Sequence, residues 1–402
     1  MGIADGVISV PSILLPARAS DPAFMRTWSV IACDQFTSDR SYWEALSLEV
    51  GDRPSTLRMI YPEVYLSEPD ASERIAAING TMDRYMRTGL LRRLNPGFVL
   101  TERTTPCVAS KRHGIVLAVD LEKYSFAKEA RLPVRASEET VPGRLPPRVR
   151  IRENARLELP HVMLLYNARE EDILAGLERE LARQRTLYDF GLNRGGGHLR
   201  GWLLSGEQSS RIARRLQASA GEGLLFAVGD GNHSLAAAKI CWENKKKNLL
   251  PVERGADPAR FALCEAVSLY SDAIIFEPIY RYVTGVCRGD FLAALREALP
   301  GSEAEGGMLR CREGDVARNI RAADDFIAGY CAQKGGTVDY VHGERELTAL
   351  VASRGDSAGI DLGTVRKEDF FASLSRNGPF PRKTFSMGEG IEKRYYTECK
   401  EI

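Results

Sequence analysis

Two spacings of apolar residues run through this chain, and they predict different elements. Ile75, Ile78, Met82 and Met86 recur at steps of three and four, so a helix is predicted over 72–90, with Ser72 able to cap it and Gly89 at its exit. Residues 98–110 and 114–121 read as extended runs joined by Lys111, Arg112 and His113, a hairpin pattern. An apolar strand runs through 28–36 into Cys33 and Asp34, with a helix starting near Ser38 and continuing through Tyr42 and Trp43. Residues 127–160 are rich in Arg, Glu and Pro with few large apolar groups, the composition of a long surface loop. Regular pattern resumes with a buried strand over 161–167, a helix over 170–184 and a strand within 199–204.

A further apolar run, 224–228, meets Gly229, Asp230 and Gly231 and leads into an alanine-rich helix from Asn232 to at least Trp242, which reads as strand, tight turn, helix. Beyond residue 250 the pattern predicts strands over 261–270 and 273–280, and helices over 290–299 and 316–332. A hairpin is predicted over 337–352, turning near His342 and Gly343. The tail, 377–402, is polar but varied enough to be ordered. The expected fold class is α/β of the α+β type, with one domain over 1–250 and a second α+β domain over 251–402 that could close over the site of the first.

Composition narrows the functional classes. The 402 residues carry 55 Lys and Arg against 54 Asp and Glu, a balance that argues against a protein built to grip phosphate backbones of nucleic acid. A 44% hydrophobic and 27% charged content is that of a folded globular chain. No apolar run approaches the roughly 20 residues of a membrane span, and the first residues lack a signal-peptide pattern, so the expectation is a cytoplasmic protein. The eight cysteines include no CxxC pair and the five histidines no HExxH, so local spacing points to reduced thiols and to no transition-metal site.

The candidate chemistry centres on the turn at 229–234. A glycine turn feeding a helix presents unpaired N–H groups along a positive dipole, a ready place for phosphate. Three readings stay open: a tight turn whose Asp230 or Asn232 caps the helix; a dinucleotide site, since Gly229, Gly231 and Ser234 approach G-x-G-x-x-G/A; and a nucleotide phosphate site in which Asp230 works through Mg²⁺, with His233 contacting a phosphoryl oxygen. Residues 378–384 resemble a Walker loop only superficially, because Pro379 and Pro381 stand where backbone N–H groups should cradle phosphate. Asp34, at the end of its strand, is placed to act as a base if that end lines a cleft, and Cys33 beside it is a possible nucleophile with an inert thiol as the plainer reading.

At GDGNHSLAAA the chain resembles the D-G-H-H-R-x-x-A-A box of the family called domain of unknown function 1015. Further landmarks follow in order: IACDQF resembles an early P-P-Y-D-V segment, residues 138–156 an Arg/Glu-rich loop, His198 with Trp202 an upstream pair, and FPRKTFSM a late M-P-x-K-S-T-x-F. That family is similar in turn to the ParB/sulfiredoxin-like superfamily, which includes free serine kinases using ADP or ATP and CTP-hydrolysing ParB proteins. The resemblance implies a mixed sheet with flanking helices. It also implies that Gly229, Asp230, Gly231, Asn232, His233 and Ser234 border phosphate and Mg²⁺, with His198 nearby and Asp34 deprotonating a hydroxyl. Asn232 and Ser234 stand where the box has His and Arg, and a serine cannot replace a bidentate arginine, so either Arg152, Arg281 or Lys383 supplies the missing charge or this branch has different chemistry.

The expected function is phosphoryl transfer from ATP or ADP, with Mg²⁺, to a small hydroxyl metabolite such as free serine. The alternatives are a nucleotide-binding switch responding to CTP or ATP, and an inactive scaffold of the same fold.

Overall fold

Three long strands form where β-branched and aliphatic residues run together, at Val99–Thr104, Arg112–Asp120 and Phe261–Ser268. The computed structural model describes residues 6–221, 223–312 and 314–402. Among these, the three strands belong to a ten-stranded mixed sheet. Its order is Tyr188–Gly191, His198–Leu203, Val99–Thr104, Arg112–Asp120, Phe261–Ser268, Met163–Tyr166, Phe226–Asp230, Val134–Ala136 and Tyr124–Ser125, with Ile8–Ser9 added to Arg112–Asp120. Met163–Tyr166 runs parallel to Phe261–Ser268 and Phe226–Asp230 parallel to Val134–Ala136, while the other long neighbours are antiparallel.

The side-chain alternation of a strand sorts these residues onto two faces. Leu100, Ile115 and Leu117 join a core with Ile212, Leu216, Leu235 and Trp242 of the helices Gly206–Ala218 and Asn232–Lys245. Val99 and Val116 join a core with Trp28, Trp43, Tyr85 and Tyr396. Both faces are covered, so the strands can be apolar throughout.

The chain divides into two compact units, Met1–Ile274 with Glu389–Ile402, and Ile275–Gly388. The sequence placed a boundary at 250/251. Phe261–Ser268 overrides it by pairing with both Arg112–Asp120 and Met163–Tyr166 inside the first sheet, and the last residues also return to the first unit. There Tyr395 and Tyr396 pair with Ile31 and Val30, and Cys399–Glu401 pairs with Leu157–Glu158 and Ile13–Pro16.

In the second unit, a sheet of Glu303–Glu305, Met308–Arg310, Ser357–Asp361, Phe276–Thr284 and Thr337–His342, with Phe385–Met387, carries helices Arg288–Ala298 and Val316–Lys334 through Phe291, Leu295, Ile320 and Ile327. Among the described residues no helix is long and apolar enough to cross a membrane.

Several expectations are corrected. Residues 127–160 are not one loop: they hold the strand Val134–Ala136, the helix Leu145–Arg152 and the strand Leu157–Glu158, and the helix packs on Asn232–Lys245. The pattern over 337–352 is a strand followed by the helix Glu344–Ser353, because Leu347 and Val351, four apart, both turn into the core. Trp28 ends the helix Pro22–Trp28 and leaves only Val30–Ile31 as strand. The helix over 170–184 breaks into Glu170–Leu174 and Leu177–Leu181 at Gly176, whose φ is 82°. The hairpin is formed by Val99–Thr104 and Arg112–Asp120, so its connection is 105–111 rather than 111–113.

Candidate active site

Phe226–Asp230 ends at Gly231, which caps the helix Asn232–Lys245 with φ 78°, a left-handed conformation that glycine adopts without steric cost. Space is tight as well, since a Cβ there would lie 3.1 Å from Val162 Cα and the neighbour would have to give by a few tenths of an ångström. The turn is therefore pressed against the segment carrying His161. Ser234, in the first turn of the helix, places its Oγ 3.0 Å from His161 Nε2. From the far side of the chain, Asp34 follows Val30–Ile31 and brings Oδ2 to 3.6 Å from the same nitrogen.

Tyr396 holds the other face of the imidazole. Its hydroxyl lies 2.7 Å from His161 Nδ1, accepts from the Cys33 N–H at 3.2 Å and donates to Cys33 Sγ at 3.1 Å. With its one proton spent on sulfur, the phenol oxygen accepts from Nδ1–H, which leaves a lone pair on Nε2 for the Ser234 hydroxyl. Asp34 and Ser234 thus share one nitrogen and Tyr396 has the other. This differs from a triad in which a carboxylate holds one nitrogen while the other activates a serine.

Charges are set by burial and neighbours. Burial pushes the Asp34 carboxyl up, but His161 whenever its ring carries the second proton, together with the Gln35 amide and the Lys393 ammonium, outweighs it and holds the group below the usual aspartate value, so it stays ionised. Burial raises the Cys33 thiol above its ordinary range, and the Asp34 and Glu63 carboxylates add to this. Cys33 is a protonated, unreactive thiol. Burial likewise raises Glu63, only partly offset by Arg148, to which it is paired.

The segment that delivers Tyr396 is anchored by Arg394. Its guanidinium, buried, bonds Glu265 at 2.9 Å and Glu398 at 2.7 Å and donates to the Pro160 carbonyl, next to His161. One arginine therefore fixes both strands of chain that meet at the imidazole. Lys393, beside it, reaches Asp230 Oδ2 with Nζ at 3.3 Å, while Asp230 Oδ1 accepts from the Gly231 N–H.

That pairing bears on the expected magnesium ligand. A magnesium ion takes an octahedral shell of oxygens, commonly from one or two carboxylates, waters and phosphate. Here both Asp230 oxygens are engaged, one by a lysine, and among the described residues no group of three His, Cys, Asp or Glu is placed to hold a metal. Lys393 supplies the counter-charge of Asp230.

Of the other sequence candidates, His233 accepts at Nε2 from the Val141 N–H, so that nitrogen is held by backbone rather than offered to a phosphoryl group. Asn232 Oδ1 is a buried acceptor without a hydrogen-bond partner. Arg152 pairs with Glu158 at 2.5 Å. His198 bonds Asp189 at 3.0 Å on a strand five positions from Phe226–Asp230 in the sheet order, so it is not part of the cluster. Arg281 and Lys383 belong to the second unit, where Arg281 is fully buried against Asp324 and the carbonyls of Ile279 and Lys383. Gly229 lies in the strand before the turn. His161, Lys393 and Tyr396 were passed over in the sequence; the only signal there was a histidine opening a buried strand.

The family model described as a protein of unknown function, DUF1015, matches residues 14–368. The chain belongs to this family. Among solved structures, the DUF1015 chain is similar to a conserved hypothetical protein from Pyrococcus furiosus, at 11% identity and a TM-score of 0.34, covering 71% of this chain and 94% of that one. It is also similar to a free serine kinase mutant in complex with ADP, at 11% identity and a TM-score of 0.38, covering 73% and 94%. The free serine kinase in complex with AMP gives 11%, a TM-score of 0.37, and 73% and 93%. At these scores the likenesses transfer no residue roles. No curated protein matches the chain.

Proposed function

We propose that this DUF1015 chain binds the phosphates of ATP or ADP at residues 229–234 and transfers a phosphoryl group to the hydroxyl of a small metabolite. One observation carries the reading: Asp34, from the first strands, and Ser234, from the start of a 14-residue helix, meet on His161 Nε2 at 3.6 and 3.0 Å. A proton acceptor thus stands beside the positive end of a helix dipole, the combination that moving a phosphoryl group onto a hydroxyl requires.

In this reading the amides at the helix start meet the phosphate charge, the Lys393 ammonium is shared between Asp230 and the phosphate, and the Asp34 and His161 pair takes the hydroxyl proton. The imidazolium formed pairs with the ionised Asp34. A divalent ion of a metal–nucleotide complex belongs to the substrate, and no step is assigned to it.

The test is product formation followed by phosphorus NMR, with ATP or ADP and a panel of hydroxyl compounds that includes free serine. Asp34→Asn is expected to lower the rate by about 100-fold with nucleotide affinity retained. An unchanged rate would remove Asp34 from the chemistry, and no transfer to any compound by the unaltered chain would remove the kinase reading.

A further inference from the structure

A cavity of about 140 Å³ opens beside the cluster, and its walls do not match a free amino acid. Most of its lining is hydrocarbon, from Met59, Ile78, Met82, Ile151, Leu159 and Ala238 among others. Its polar end is formed by Cys33, His161, Ser234 and Tyr396. Four charged residues reach the wall, and they are already paired with one another, Arg148 with Glu63 and Arg152 with Glu158, so neither sign is left over for a ligand.

These facts select a ligand by its chemistry. Serine carries an ammonium and a carboxylate, and burying either against hydrocarbon without an opposite charge is strongly unfavourable. An uncharged ring loses nothing of the kind. Apolar cavities of roughly 150 Å³ accept a benzene-sized molecule, which sets the scale of the guest.

We propose that the cavity receives the hydrocarbon body of the phosphoryl acceptor, and that the acceptor is an uncharged alcohol with a ring or branched chain of about six to eight non-hydrogen atoms, its hydroxyl directed to His161. The inference rests on the phosphoryl-transfer reading of the same site. In the transfer the hydroxyl oxygen forms the new O–P bond as the bond from phosphorus to the leaving oxygen of the nucleotide breaks, and the hydroxyl proton passes to the Asp34 and His161 pair.

The experiment is calorimetric titration of the full chain with benzyl alcohol and, separately, with serine, without nucleotide. Benzyl alcohol is expected to bind and serine not to. Ala238→Leu, inside the wall, and Ala155→Phe, at a half-buried wall position chosen to spare the core, are each expected to weaken benzyl alcohol about tenfold or more. Failure of benzyl alcohol to bind the unaltered chain, tighter binding of serine, or undiminished alcohol binding by a natively folded Ala155→Phe would overturn the inference. The parent reading fails by a different sign, absence of ADP binding, and the two results are read independently.

Discussion

The Tyr396 hydroxyl sits 2.7 Å from His161 Nδ1, and through that bond the last residues of the chain set which imidazole nitrogen faces Ser234 and Asp34. Tyr396 lines the polar end of the cavity but acts on the transfer through His161, so its part is that of a positioning residue. Tyr396→Phe is expected to free the ring without unfolding the chain, lowering transfer about tenfold to 100-fold at nearly unchanged nucleotide affinity. Imidazole nitrogen NMR shifts check the cause: the variant should show a mixture of tautomers where the unaltered chain shows one, and one unchanged tautomer would contradict the role.

Asp34 makes stability depend on acid. Its folded carboxyl titrates below the unfolded value of about 3.9, so the fold gains from the ionised form. That gain is fully present above the unfolded value and is lost as pH falls through the lower folded one. Urea unfolding of the unaltered chain and Asp34→Asn should therefore differ most near neutral pH, with the difference shrinking below about pH 4. A difference that grows with acid would show that the carboxyl is not held ionised.

Gly231→Ala tests the turn. The φ of 78° alone costs a side chain about 1–2 kcal/mol, and the new Cβ would also press on Val162. Denaturant unfolding should register at least that loss, together with weaker ADP binding, because the helix start is pushed off the His161 segment. Unchanged stability would mean that the turn relaxes freely.

Arg394 holds the segment in place. Replacing it with Leu leaves Glu265 and Glu398 buried without their partner, and breaking such a pair costs about 3–5 kcal/mol. Glu265→Gln, which leaves the arginine one carboxylate, should cost less. The order of the two midpoints in urea decides this, and equal midpoints would deny Arg394 its anchoring part.

Much of the frame was legible in the residues. The apolar run ending in Gly229, Asp230 and Gly231 and the alanines after Asn232 specify strand, turn and helix by local chemistry alone, and the helix found is Asn232–Lys245. The hairpin of Val99–Thr104 and Arg112–Asp120 was equally local. What escaped was non-local. His161, Lys393 and Tyr396 become a site only because the strand Tyr395–Tyr396 returns to pair with Val30–Ile31, a register set by packing around Arg394 that no spacing announces. The helix Glu344–Ser353 was missed for a different reason: a strand precedes it directly, and Leu347, Leu350 and Val351 span barely more than one turn, too short a stretch to separate helical from extended period.

Calorimetric titration of ADP into the unaltered chain and into Lys393→Met, at one fixed magnesium concentration, addresses the phosphate site itself. The account predicts saturable binding by the unaltered chain and about tenfold or greater weakening when the ammonium beside Asp230 is removed. No ADP binding by the unaltered chain, or equal affinity in a folded Lys393→Met, would contradict it.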